Sequence, residues 1–161
     1  MSESGFKIDK DTKFEIYRGP TLRFKKLSPD AVLPSRANDT DAGLDLVAVE
    51  NAMLEPSTQK MVDTGVAVEI PVGYAGFVTP RSGMAAKHGI TITNAPGVID
   101  AGYRGPLKVI LHNTGYKDLL IKKGDRIAQL LLVPVSVATP VFVDELSDAE
   151  RGEGGFGSSG V

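Results

Sequence analysis

One short segment combines a carboxylate, an aromatic ring and several glycines. The stretch from Gly97 to Gly105 reads GVIDAGYRG. A tight hairpin flanked by glycines lets its backbone N–H and C=O groups approach a ligand closely. A carboxylate at the tip of such a hairpin, here Asp100, can take a proton from water. The competing interpretation is a solvated Asp in an ordinary turn, which the segment taken alone favours, because turns are rich in Gly and Asp.

Two further positions carry groups that suit phosphate oxygens. Residues 80–83 read PRSG and close one predicted strand before a short helical turn. Backbone N–H groups, the Ser82 hydroxyl and the Arg81 guanidinium there fit a phosphate, although Ser82 could equally cap the helix beside a surface Arg. Gln129 lies on a mostly apolar strand, so its amide either faces solvent or needs a hydrogen-bond partner from the fold or a ligand.

The C-terminal residues 151–161 read RGEGGFGSSGV. A glycine-rich segment has high backbone entropy and few groups to bury, so we expect it to be mobile when nothing is bound. Its ring, its Arg and its hydroxyls suit a flap that stacks on an aromatic base and covers a polyphosphate. The alternative is a disordered terminus with incidental side chains.

The elements that must position these residues are predicted to be short strands. The chain has 18 glycines and 10 prolines, spread along its length, and helical periodicity is nearly absent. Such punctuation predicts an all-β fold with many tight turns. Residues 39–46 are predicted as a polar loop and 81–89 as one short helix or helical turn. The predicted strands are 14–17, 22–25, 61–70, 75–79, 90–94, 107–111 and 126–135.

Composition narrows the class of protein. A length of 161 residues fits one domain, which buries enough surface to fold without disulfides, and there is no Cys. A net charge of −2 favours neither nucleic acid nor an anionic membrane as partner. We expect a soluble, cytoplasmic protein, since no apolar run spans a bilayer and no signal peptide is recognisable. His88 and His112 lack metal-ligand spacing, and neither a nucleophile elbow nor a P-loop is present.

Five segments in order give the chain its resemblance to a known family. They are AGLDL at 42–46, PRSG at 80–83, Asn94 with GVID at 97–100 and YRG at 103–105, GDRIAQ at 124–129, and RGEGGFGSSG at 151–160. This set resembles the motifs of the trimeric dUTPases and covers the chain from about Leu22 onwards. Ser159 stands where Thr is frequent in the family, and either residue provides a hydroxyl.

The resemblance implies a distorted jelly-roll of the β-clip type that assembles as a homotrimer. Residues 1–20 would then be an N-terminal extension that is partly strand, 21–143 the β-domain, and 144–161 a flexible arm that closes over an active site shared between chains. It also implies that dUTP is hydrolysed to dUMP and pyrophosphate. That reaction keeps uracil out of DNA and supplies dUMP for thymidylate synthesis.

The resemblance assigns roles to individual residues. Asp100 would deprotonate the water that attacks the α-phosphorus, and Asp45 would hold Mg²⁺ through ordered water while the triphosphate binds the ion directly. The phosphate contacts would come from Arg81, Ser82, Gly83 and Gln129. The uracil and the deoxyribose would be bound by Asn94, Gly97, Val98, Ile99 and Tyr103. The residues that close over the nucleotide would be Arg151, Phe156, Gly157, Ser158 and Ser159.

Three other functions compete with this interpretation. A dCTP deaminase shares the fold, but it would need a Glu near the pyrimidine, and residues 90–105 contain one carboxylate, Asp100, and no Glu. A nucleotide-dependent, protein-binding regulator of the same fold would use ordering of the arm as its switch. A purely structural β-sandwich would not require Asp100, Gln129 and the Arg- and Phe-containing tail to occur together.

Overall fold

The computed structural model describes residues 19–149 and residue 152. Among them, ten strands and one short helix alternate with tight turns. The strands are β1 (Arg23–Lys26), β2 (Leu44–Val47), β3 (Ala52–Leu54), β4 (Gln59–Glu69), β5 (Tyr74–Thr79), β6 (Ile90–Ile92), β7 (Gly97–Ile99), β8 (Pro106–Asn113), β9 (Leu119–Ile121) and β10 (Arg126–Pro134), and the helix is α1 (Ser82–His88). The all-β prediction is confirmed.

The strands form two four-stranded sheets and one two-stranded ribbon. The first sheet has the order β1-β4-β8-β6, the second has the order β2-β10-β5-β7, and β3 pairs with β9. Every pairing between these strands is antiparallel. Antiparallel sheets of this kind bury one face each, which the alternating burial of β8 illustrates.

One apolar core joins the sheets. It includes Leu46 and Leu130 from the second sheet, Val62 and Leu111 from the first, and Ile121 from the ribbon, each 1% exposed or less. A continuous core of this kind is what holds two sheets face to face. Among the described residues Thr64 and Asn113 are polar and buried, and the side-chain amide of Asn113 donates to the carbonyl oxygens of Leu54 and Lys117 at 3.0 and 2.8 Å.

A bulge bends the longest strand. The register of β4 on β8 shifts between Asp63 and Ala67, and Gly65 between them has a φ of +67°. A side chain at that position would be strained by its backbone and would also meet Val49 and Ala31. Gly65 therefore lets β4 curve around the core.

Three sequence predictions need correction. Part of the predicted loop 39–46 is a strand, because Leu44–Val47 pairs with β10. Asn94 lies in the turn after β6 and not on the strand. The expected hairpin around Asp100 is wrong: β7 pairs with β5, whereas β8 pairs with β4 and β6, so the turn after Asp100 joins two different sheets. The strand predicted at 14–17 lies outside the described residues.

Candidate active site

A cavity of about 300 Å³ lies beside Asp100. Most of its wall is apolar, and Asp100 and Lys108 are its charged residues. We call it the Asp100 cavity, and it is lined by Met61, Asn94, Val98, Ile99, Asp100, Tyr103, Pro106, Lys108 and Ile110. Four residues predicted to bind the nucleoside, Asn94, Val98, Ile99 and Tyr103, therefore line the same cavity as Asp100, the predicted general base.

The turn between β7 and β8 fixes the backbone at Asp100. The amide of Tyr103 donates to the carbonyl oxygen of Asp100 at 3.0 Å. The guanidinium of Arg104 donates to the carbonyl oxygens of Ala101 and Tyr103 at 2.6 and 2.8 Å. The exposed Asp100 side chain thus extends from a turn whose backbone is held by three hydrogen bonds, and a carboxylate on such a turn beside a cavity suits a general base.

Tyr103 is held against its own backbone. Its hydroxyl donates to the carbonyl oxygen of Pro106 at 3.1 Å. A methyl group at Gly105 would overlap that hydroxyl and lie 2.6 Å from ring atom Cζ, so only glycine leaves room for the ring. The hydroxyl is already bonded, and Tyr103 therefore offers the cavity mainly its ring.

Asn94 is adjacent to β7 although it lies outside any strand. A methyl group at Gly97 would lie 3.4 Å from Asn94 Nδ2, which shows that the amide lies close to the start of β7. An amide carries both donors and acceptors, and exposed strand backbone does the same. The pair can therefore form hydrogen bonds with the edge of a planar heterocycle.

A second, smaller cavity of about 170 Å³ lies at the other predicted cluster. It is more polar than the first, and we call it the Arg81 cavity. Its lining residues are Ala37, Asp41, Gly43, Asp45, Arg81, Ser82, Gly83 and Gln129. All four residues predicted to contact phosphate, and the predicted metal residue Asp45, are among them.

Neighbouring strands bring these residues together. In the second sheet Asp45 of β2 faces Gln129 of β10, and Gln129 faces Thr79 of β5. The chain then leaves β5 through Pro80 and Arg81. The cavity therefore forms where three paired strands and the start of α1 meet.

Ion pairs hold the charged groups of the Arg81 cavity. Arg81 Nε lies 2.8 Å from Asp45 Oδ1, and Arg81 Nη1 donates to the carbonyl oxygen of Arg126 at 3.2 Å. The other carboxylate oxygen of Asp45 accepts from Arg126 Nη1 at 3.0 Å. Because the Asp45 side chain is 17% exposed, this ion pair is screened less than one at the open surface.

Gln129 is also fixed in place. Its Nε2 donates to the carbonyl oxygen of Pro80 at 3.1 Å. A methyl group at Gly43 would lie 2.5 Å from Gln129 Oε1, so the amide depends on glycine at that position. The interpretation of Gln129 as a solvent-facing strand residue is wrong, because its side chain is partly buried and lines a cavity.

Ser82 and Gly83 are the first two residues of α1. The N-cap position belongs to Arg81, and no side chain caps the helix there. The interpretation of Ser82 as a helix cap is therefore wrong. Ser82 is instead one of the residues that line the Arg81 cavity.

The two clusters occupy separate cavities in one chain, since no lining residue is common to both. The predicted arm residues Arg151, Phe156, Gly157, Ser158 and Ser159 lie outside the described residues. The residues that sequence reasoning left without a role are Gly43, Arg104, Gly105 and Arg126. All four lie inside the recognised motifs, but their roles are steric or depend on distant partners.

Two kinds of feature are absent from the described residues, 19–149 and 152. No three His, Asp or Glu side chains in this part of the chain come together as a metal site. No helix found there has both the length and the apolar character needed to cross a bilayer.

The amino-acid sequence is similar to those of known proteins. A family model described as dUTPase matches residues 30–160. A deoxyuridine 5'-triphosphate nucleotidohydrolase of Thermobifida fusca is 51% identical over 140 residues, which are 86% of this chain and 78% of the relative.

Two solved structures are also similar. The dUTPase of Staphylococcus bacteriophage 80alpha with dUPNHPP has a TM-score of 0.83 and 39% identity, and the match covers 89% of this chain and 100% of the phage chain. A mutant dUTPase from phage phi11 of S. aureus, described as revealing the coordination of a structural Mg(II) ion, has a TM-score of 0.74 and 34% identity, with 78% of this chain and 98% of that chain covered.

Proposed function

Because the chain belongs to the dUTPase family, we propose that it hydrolyses dUTP to dUMP and pyrophosphate, with the two ends of the nucleotide in the two cavities. The Asp100 cavity takes uracil and deoxyribose, and the Arg81 cavity takes the phosphates. The observation that carries the proposal is the different character of the two walls: a mostly apolar wall beside the exposed Asp100 carboxylate in one cavity, and a mostly polar wall that includes Arg81, Ser82 and Gln129 in the other.

Asp100 is the catalytic residue of the proposal. Its carboxylate accepts a proton from a water molecule, whose oxygen attacks the α-phosphorus. The bond from that phosphorus to the bridging oxygen breaks, and pyrophosphate leaves with the electron pair. The turn that Arg104 ties down keeps the carboxylate in position for this step.

Recognition of uracil rests on Asn94 and the backbone of β7. Groups placed to pair with the uracil 4-oxygen, an acceptor, mismatch the 4-amino group of cytosine, which donates. A buried mismatch leaves polar groups unpaired and so discriminates strongly. Val98 and Ile99, which line the cavity, would exclude the 5-methyl group of thymine in this proposal. The Tyr103 ring packs against the sugar, where a ribose 2'-hydroxyl would lose its water.

The phosphates are bound by Arg81, Ser82, Gly83 and Gln129. A guanidinium, a hydroxyl and an amide are all donors to anionic oxygens, and charge-assisted bonds are the stronger ones. Arg81 and Gln129 are already held by protein partners, so a ligand meets them with little loss of side-chain freedom.

Mg²⁺ fits the Arg81 cavity as a partner of the substrate. Two carboxylates, Asp41 and Asp45, line the cavity, and a triphosphate there would be repelled by them unless a cation lay between. Mg²⁺ is commonly held by one or two carboxylates together with substrate phosphates and water, so the absence of a larger ligand cluster among the described residues is no obstacle. Asp45, and to a lesser extent Asp41, would hold the ion through water. When bound, it supplies neutralisation and alignment of the triphosphate.

A homotrimer brings the two cavities of different chains onto one nucleotide. The separate linings support this arrangement, and so does the segment after β10, where Val137, Val141, Phe142 and Leu146 are all more than three-quarters exposed. Apolar side chains in a row on an extended segment favour contact with another copy. Sedimentation of the full chain should therefore give three times the 17.0 kDa chain mass.

The C-terminal arm completes the site in this proposal. Arg151, Ser158 and Ser159 would contact phosphate oxygens, Phe156 would stack on uracil, and Gly157 would let the backbone pass close to the ligand. These roles rest on the sequence alone. Closure of the arm over the correct substrate would exclude bulk water during attack.

The decisive assay offers dUTP, dCTP, dTTP and UTP separately, with Mg²⁺, and measures pyrophosphate and ammonia. We expect pyrophosphate from dUTP alone. Ammonia from dCTP would select the deaminase, which the single carboxylate of the Asp100 cavity argues against. Because nucleotides are dissolved metabolites, we further propose that the enzyme acts in the cytoplasm.

A further inference from the structure

The Arg81 cavity contains a charge network made by three side chains, those of Asp45, Arg81 and Arg126. Asp45 lies between two guanidiniums, with Oδ1 2.8 Å from Arg81 Nε and Oδ2 3.0 Å from Arg126 Nη1. Arg81 is held a second time through its Nη1, which donates to the Arg126 carbonyl oxygen. The three residues come from β2, from the loop after β5 and from β10, so the network ties one end of the second sheet together.

These contacts restrict Arg81 at two points of its planar group. A guanidinium has five N–H donors in a fixed fork. Arg81 Nε lies in the ion pair with Asp45, one Nη1–H donates to the Arg126 carbonyl oxygen, and within the described residues the Nη2 donors have no protein acceptor. Since the group is planar, holding two of its nitrogens fixes the direction of the third. Arg81 lines the cavity, so those donors are available to a ligand in it.

We propose that Asp45 is a positioning residue for Arg81, which it orients toward phosphate before any metal ion or substrate arrives. This role rests on the proposed function and is separate from a contact to Mg²⁺. Arg126 contributes by occupying the second carboxylate oxygen, which keeps Asp45 aimed at Arg81. A ligand then meets a guanidinium that has already lost its rotamer freedom.

Positioning and simple electrostatics predict opposite changes in polyanion affinity when Asp45 loses its charge. Asp45→Asn removes a negative charge beside the bound phosphates, which by charge alone should tighten the binding of a polyanion. If Asp45 orients Arg81, the same change should weaken binding, because the asparagine amide is a poorer partner for a guanidinium. Measuring in EDTA removes any contribution from a bound metal ion.

The experiment measures the dissociation constants of dUpNHpp and dUMP by calorimetry in EDTA. For Asp45→Asn we expect dUpNHpp to bind roughly tenfold more weakly, the size of one charge-assisted contact, and dUMP to change less than about twofold. The matched control is Asp30→Asn, which removes an exposed pair with Lys123 (2.7 Å) that lines neither cavity and should change neither constant. Unchanged or tighter binding of dUpNHpp by Asp45→Asn, or an effect that appears only with Mg²⁺, would overturn the proposal.

A double-mutant cycle separates positioning from a general effect. In an Arg81→Ala background, Asp45→Asn should cost less than about twofold in dUpNHpp affinity, since its target is gone. A full tenfold loss in that background would contradict the proposal. Arg126→Lys, which keeps a cation at the second oxygen, should retain more affinity than Arg126→Ala.

A spectroscopic measurement keeps the test open if Asp45→Asn does not fold. In the unliganded wild-type protein in EDTA, the guanidinium N–H groups of Arg81 should exchange slowly with solvent, which NMR follows in a signal assigned by its loss in Arg81→Lys. Exchange as fast as that of an exposed arginine would overturn the proposal. The assay of wild-type dUTP turnover is independent of all these measurements, so failure of the proposed function is recognised separately.

Discussion

The Asp100 cavity and the Arg81 cavity position their functional groups by different physical means. Around Asp100 the backbone does the positioning, through a turn closed by Arg104 and a strand, β7, paired to the second sheet. Around Arg81 the side chains position one another, through ion pairs and an amide bonded to a carbonyl oxygen. The first cavity therefore depends on local chain conformation, and the second on partners that are distant in sequence.

The difference matches what each cavity has to bind. A planar base is recognised by the hydrogen-bonding pattern of its edge, for which rigid backbone groups are suited. A triphosphate is recognised by its charge, for which mobile cationic side chains must first be ordered. For each cavity, one glycine makes room for a side chain that lines it: Gly105 for Tyr103 and Gly43 for Gln129. These two glycines allow the cavities to be perturbed one at a time.

The largest effect is expected at Asp100, which is the catalytic residue and not a determinant of affinity. Asp100→Asn keeps the size of the side chain but removes its basicity, so pyrophosphate release from dUTP should fall about 100- to 10,000-fold. The affinity for dUpNHpp should change little, since neither cavity loses its shape. Steady-state turnover checks the predicted fall in rate, and calorimetric titration checks the unchanged affinity. A near-normal rate would contradict the assignment of Asp100 as the general base.

Deletion of residues 151–161 should have the second largest effect on turnover. The buried core lies between Leu44 and Leu130, so the shortened chain should fold with an unchanged melting temperature. Turnover should fall about 100-fold, because an incompletely closed site misaligns the reacting groups. Both cavities should survive, although dUMP should bind more weakly because the Phe156 ring that stacks on uracil is gone. Thermal unfolding and rate measurements test this, and loss of folding would show that the arm belongs to the core.

Gly105→Ala perturbs the Asp100 cavity alone. The added methyl group would overlap Tyr103, so the ring must leave its place beside the sugar site. We expect dUMP and dUpNHpp to bind about tenfold more weakly, to the same extent, because both carry the nucleoside. Gly102→Ala is the matched control, since a methyl group there meets nothing within 4 Å. A loss confined to dUpNHpp would contradict the division between the cavities.

Gly43→Ala should perturb only the Arg81 cavity. Its methyl group would displace the Gln129 amide, which then no longer donates to a phosphate or to Pro80. The affinity for dUpNHpp should fall roughly fivefold, and that for dUMP should stay within about twofold, as expected for one neutral hydrogen bond. The two titrations distinguish this change from Gly105→Ala, and equal losses for both ligands would mean that the cavities are not independent.

The sequence predicted the chemical groups better than their connections. Asp100, Arg81, Gln129 and Tyr103 could be selected because their motifs resemble those of a known family, and the structure places them in cavities. The hairpin at Asp100 was predicted wrongly, because alternation along a strand tells which face is buried but not which strand it pairs with.

The supporting contacts were beyond sequence reasoning. The partner of Arg81 is Asp45 of β2. In the chain β2 precedes Arg81, whereas β10, the strand with which β2 pairs, follows Arg81. Likewise, the need for glycine at position 43 becomes visible only once Gln129 is seen to occupy the space. Motifs therefore identify the residues that contact a ligand, whereas the residues that position them emerge from the fold.

The smallest effect is expected at Arg104, which acts on Asp100 through the backbone. Arg104→Ala removes two hydrogen bonds to the turn, at the carbonyl oxygens of Ala101 and Tyr103, and leaves both cavity linings intact. Because the turn keeps its own bond from Tyr103 N–H to the Asp100 carbonyl oxygen, it should loosen but not open. We expect kcat to fall about threefold with KM unchanged, since alignment of the general base Asp100 suffers while binding does not.

Arg104→Lys should recover part of the rate, because one ammonium can still donate to a carbonyl oxygen of the turn. A rise in KM without loss of kcat would assign Arg104 to binding, and would mean that the Asp100 cavity, like the Arg81 cavity, relies on side chains for its shape.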